Sequence, residues 1–75
     1  MKYIVKKTTT YKKAYKGITY ITKHYSWPNE LVDIVKNDGF KTNLEAHQYM
    51  LEVINRDYRF RKDGFKFEYE IVEVK

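Results

Sequence analysis

Between Phe65 and Ile71 every second residue is large and apolar, and the residues between them are Lys66, Glu68 and Glu70. A period of two places Phe65, Phe67, Tyr69 and Ile71 on one face of a β-strand and the charges on the other. So much aromatic surface on one strand face has to be covered, and the rest of the chain must supply the covering layer. Asp63-Gly64, just ahead, is a turn dipeptide. Tyr58-Arg59-Phe60-Arg61 on its far side fits a short additional strand closing a hairpin.

The covering layer is expected to be helical. Ser26 or Trp27 stands where an N-cap belongs, and Pro28 falls in the first turn, where its missing N–H costs nothing. Leu31, Ile34 and Val35 follow at helical spacing. Asn37-Asp38-Gly39 closes this segment, with Gly39 in a left-handed position and Phe40 folding back on the last turn. A second helix opens with Thr42-Asn43-Leu44-Glu45, which fits a capping box. Its apolar stripe reads Leu44, His47, Leu51, Ile54 and Tyr58, widened by Ala46, Met50 and Val53, and it ends at Asn55 to Asp57.

Ahead of the helices, Lys2 to about Thr10 is rich in Tyr, Ile, Val and Thr, residues that favour a pleated backbone. Lys12-Lys13-Ala14-Tyr15-Lys16-Gly17 is a polar connection ending in Gly, and Ile18 to Tyr25 reads as a second strand. The expected fold is therefore α+β: a three- to four-stranded antiparallel sheet with two helices packed on one face, in the order β-β-α-α-(β)-β. Residues 1–75 form one domain, with no repeat or linker between the elements.

A chain of 75 residues buries only ~60% of the surface its unfolded form exposes. It contains no Cys, so neither a disulfide nor a thiolate zinc site can reinforce it. Aromatic residues make up 17% of the chain, and their large buried areas must carry the core. No stretch approaches the ~18 apolar residues of a membrane span, and the N-terminus lacks a signal-peptide core. The expectation is a soluble, cytoplasmic protein.

Charge is distributed unevenly. Residues 1–29 hold seven Lys, five Tyr and Trp27 but no Asp or Glu. The formal +5 divides into +7 over residues 1–29 and −2 over residues 30–75. If the last strand pairs beside the first, Glu68, Glu70 and Glu73 lie across from some of Lys2, Lys6 and Lys7, absorbing part of the asymmetry. What is left is the hairpin tip, where Lys12, Lys13 and Lys16 interleave with Tyr11 and Tyr15. Lysines there can attract phosphates while a tyrosine stacks on a base. Arg59, Arg61 and Lys62, around the second turn, form a further basic patch. The plain reading of such lysines is solubility and protection of an exposed strand edge.

Catalytic and metal chemistry find little support. Ser26, the only Ser, is better used as a cap, and His24 beside it has no third partner. Glu68 and Glu70 alternate with apolar residues as any solvated face does. His24 and His47 do not make a metal shell. The expectation is a non-enzymatic protein without cofactor or small-molecule substrate.

The Lys-, Tyr-, Ile- and Asn-rich composition is similar to that of small accessory proteins of bacteriophages in low-GC Gram-positive bacteria. Two helices, a turn and a basic hairpin resemble a winged helix, and Thr42…Glu45-Ala46…Tyr49 resembles the opening helix of phage excisionases. Against both, the chain begins with strands, Glu45 and Glu52 would repel phosphates, and no further helix follows. The functional expectation is a binding protein engaging nucleic acid, or a nucleic-acid-processing protein complex, through the basic aromatic hairpin. The alternative is a phage-type, anti-defence inhibitor of a host protein, or a homodimeric interaction module. Either would use a patch of Ile4, Ile21, Val72 and Val74 on the second sheet face, and the inhibitor could use an exposed edge strand instead.

Overall fold

The computed structural model describes residues 2–23, 25–28, 39–59 and 63–74. They form an antiparallel four-stranded sheet and one helix, in the order β-β-β-α-β. The elements are β1 (Lys2–Tyr11), β2 (Tyr15–Ile21), β3 (Ser26–Pro28), α1 (Asn43–Arg59) and β4 (Phe65–Val74). Across the sheet the strands run β3-β2-β1-β4, so the first and last strands are neighbours.

This corrects the expectation of two helices packed on the sheet. Ser26-Trp27-Pro28 does not cap a helix. It lies extended along β2, with Trp27 opposite Tyr20. An edge strand of three residues tolerates Pro28, because one side of such a strand needs no ladder donor. β2 stops at Ile21 instead of Tyr25, and the chain reverses where the Thr22 N–H donates to the Tyr25 carbonyl at 2.9 Å. Leu31, Ile34 and Val35, the stripe of the expected first helix, lie outside the described residues. Gly39 is not in the left-handed region. It is needed for close approach, since a Cβ there would sit 3.0 Å from Lys2 Cβ and 3.2 Å from the Tyr3 carbonyl oxygen. Phe40 lies beside the start of β1. It exchanges backbone hydrogen bonds with Tyr3 and packs on Tyr49, ring centroids 5.2 Å apart.

Thr42 caps α1 as its sequence requires: its hydroxyl accepts from the Glu45 N–H at 3.2 Å. The helix then runs to Arg59, so Tyr58 and Arg59 belong to it and not to an additional strand. Its buried residues are Ala46 and Val53. Tyr49 and Met50 pack beside Val53 against Val5 and Ile21. Leu44, Leu51 and Tyr58, expected in the core, are 65%, 49% and 75% exposed. The helix is rotated about one position from the expected stripe, and its widening residues became its core.

The two sheet faces carry separate clusters. Residues alternate along β1, so Val5 faces α1 while Ile4 faces away, and both are fully buried. The helix side joins Val5, Ile21 and Val53 with Tyr69. The opposite side joins Ile4 and Tyr20 with Ile18, Trp27, Val72 and Val74. Of the three lysines expected across from the late acids, the register places only Lys6 opposite one, Glu70, while Lys2 faces Val74 and Lys7 faces Tyr69. No helix among the described residues is long and apolar enough to cross a membrane.

Candidate nucleic-acid interface

α1 travels along β1 at one helical turn per two strand residues, because about 6 Å of helix rise matches about 6.6 Å of strand. Tyr49 meets Phe40 beside Tyr3, Val53 meets Val5, and Asp57 meets Lys7. Asp57 is the anchor of this last contact. Its Oδ2 accepts from Lys7 Nζ and from the Tyr69 hydroxyl, each at 2.6 Å, tying the helix to β1 and β4. Burial pushes the Asp57 carboxyl up, but the hydrogen bonds from Lys7 and Tyr69 and the charges of Lys7 and Arg56 outweigh it and hold it below its ordinary value. Burial, the hydrogen bond to Asp57 and the carboxylate charge all push the Tyr69 phenol up.

Beyond this anchor the helix side of the sheet continues for two more rows. Thr9 lies between Gly17 and Phe67, and Tyr11 lies between Tyr15 and Phe65. These rows share the face of Val5 by strand alternation. The rings of Tyr11 and Phe65 are 4.6 Å apart, and Phe67 follows Phe65 at 6.1 Å with planes only 11° from parallel. Lys7 Nζ stands 4.6 Å from the Phe67 ring centre. Tyr15, 57% exposed, completes an aromatic row across β2, β1 and β4.

The tip above this row is held in a costly shape. The Ala14 N–H donates to the Tyr11 carbonyl at 2.9 Å, and the two residues between have positive φ, 44° at Lys12 and 62° at Lys13. Two left-handed central residues are the mark of a type I′ hairpin turn, which normally takes Asn and Gly. A lysine there costs roughly 1–2 kcal/mol in backbone strain. The Lys12 N–H donates to the Gly64 carbonyl at 3.2 Å, so the two turns lie side by side. The Lys12 stem crosses Gly64, and its Nζ stands 5.3 Å from the Tyr11 ring centre.

The residues expected at the site therefore divide. Tyr11, Lys12, Lys13 and Tyr15 come together at one end of the sheet. Lys16 is exposed at the same end but, opposite Thr10, points to the other face. Among the described residues no carboxylate pairs with Lys12, Lys13 or Lys16. Arg59 is exposed on the last turn of α1, where it lines a shallow groove with Glu52, Asn55 and Arg56. Arg61 and Lys62 lie outside the described residues.

The apolar patch does not exist as one surface. Ile21 pairs with Val5 and so faces α1, and Ile4 is fully buried. Val72 and Val74 are half-buried against Ile4. The cause is register, since a shift of one residue sends a side chain to the other face. Sequence reasoning missed Phe65 and Phe67 as surface partners of Tyr11 because their alternation looked like pure core. The signal available was that Tyr11 and Phe65 each flank a turn. No protein-family model matches this chain, and neither the curated proteins nor the solved structures give a significant match.

Proposed function

We propose that this protein binds nucleic acid through the β1–β2 tip, without catalysis. The observation that carries the reading is the Lys12-Lys13 turn. A pair of lysines occupies a backbone conformation that Asn-Gly would adopt at lower cost, beside an aromatic row and with no ion pair to a described carboxylate. Strain of this kind is retained where the side chain does something that the relaxed residue cannot. Lys12 and Lys13 attract phosphates, Lys16 adds charge from the other face, and Tyr11 and Tyr15 meet bases. Arg59, on α1, extends the basic surface.

Binding should be measurable by fluorescence anisotropy with labelled DNA and RNA at ~50 mM salt and weaken as a power of salt concentration. Replacing Lys12, Lys13 and Lys16 together by Ala should flatten the log–log salt slope by about two to three, one lost counterion per lost contact. Circular dichroism should show the variant folded. Absence of binding to any nucleic acid at low salt would overturn the proposal.

A further inference from the structure

Resting on that reading, we infer that the ligand is single-stranded and that a base stacks on the exposed ring of Tyr15. The hydroxyl end of Tyr15 overhangs Gly17, two residues along the same strand and on the same face. A Cβ on Gly17 would come within 2.5 Å of Tyr15 Oη, 3.0 Å of Cζ and 3.2 Å of Cε1. Only a residue without a side chain lets the ring settle so low. The hydroxyl end of the ring is thus spent on this contact while the residue stays 57% exposed, which leaves much of the ring to solvent.

A flat, outward aromatic ring is matched to a base that has left its stack. Every base has such a face, and single strands can splay theirs onto protein aromatics. In a duplex the same faces are already stacked on one another.

The neighbours fit a strand laid across the sheet. Tyr11 is the direct cross-strand partner of Tyr15 on one side and of Phe65 on the other. Aromatic positions therefore follow one another across three adjacent strands, and the Tyr11 and Phe65 rings lie 4.6 Å apart. Thr9, one row further along the same face, offers a hydroxyl for hydrogen bonding. Lys12 and Lys13 border the row on the tip side, where a backbone tracking across three strands would pass. The charges set attraction, and the rings select against paired bases.

The test uses the whole chain, a labelled oligothymidine of about ten nucleotides, within the usual footprint of such sites, and a hairpin duplex of similar charge. The wild type should prefer the single strand. Tyr15→Ala should weaken single-strand binding roughly ten-fold, in line with the loss of one stacked base, without changing the salt slope. Tyr15→Phe should restore it. Gly17→Ala, which keeps the tyrosine but lifts the ring, should also weaken it. Preference for the duplex, or single-strand affinity unchanged in Tyr15→Ala, would overturn the inference. In that event, binding that still depends on Lys12 and Lys13 would leave the proposed function standing. No binding of either probe by the wild type would overturn both.

Discussion

Asp57 shows how much one side chain can hold. It joins α1 to both β1 and β4 through a single carboxylate oxygen. Its folded carboxyl titrates below the ordinary value, so its contribution is present above the unfolded pKa of about 3.9 and is lost as pH falls through the folded one. Asp57→Asn should cost about 2 kcal/mol in urea unfolding at pH 7, and the gap to wild type should close as the pH is lowered. Tyr69 acts in the opposite range. Its hydroxyl is held protonated, so its contribution is present at neutral pH and disappears under alkaline conditions. None of this was legible in the sequence, where Asp57 read as a helix end and Lys7 as a candidate cross-strand partner for the acids of the last strand; it lies opposite Tyr69 instead. The turn lysines offer a second residue-level test. Lys12→Asn with Lys13→Gly should raise stability by about 1 kcal/mol in the same assay while weakening nucleic-acid binding at low salt. A gain in both, or a loss in both, would contradict the exchange of strain for charge.

At the scale of elements, the local signals were the readable ones. Thr42 starts α1 because its hydroxyl satisfies the Glu45 N–H, a contact encoded within four residues. Which side of α1 turns inward was not encoded locally. Leu44, Leu51 and Tyr58 make one apolar stripe and Ala46, Tyr49, Met50 and Val53 another, and the sheet selected the second. The smaller residues let the helix approach closely, and Asp57, on the same side, finds Lys7 and Tyr69. Val53→Ala should therefore destabilise the fold by about 2 kcal/mol. Leu51→Ala should change it by no more than about 0.5 kcal/mol, as exposed substitutions usually do. Comparable losses from both, in urea denaturation, would put the helix back in its expected rotation. β3 escaped sequence reading for a related reason. Three residues carry no period, and Pro28 fits a helix start as well as a strand edge.

For the whole molecule, the acid-free front half proved to be two things at once. Lys7 pairs with Asp57 on the helix, so one charge of the excess closes within the fold, and the register places Lys6 across from Glu70 without an ion pair between them. The tip lysines remain as the outward charge. That partition was legible only once β4 was known to lie beside β1, a contact made between opposite ends of the described chain. The same adjacency governs the order in which the fold can assemble. The β1–β2 hairpin closes over a three-residue turn, but the other side of β1 pairs with residues that come after α1. Pairings this distant in sequence form slowly. Until they form, a central strand behaves as an edge, with Ile4 and Val5 still uncovered along it. During that interval Lys6, and Lys7 before Asp57 engages it, are the charges along the open strand that oppose its joining another chain.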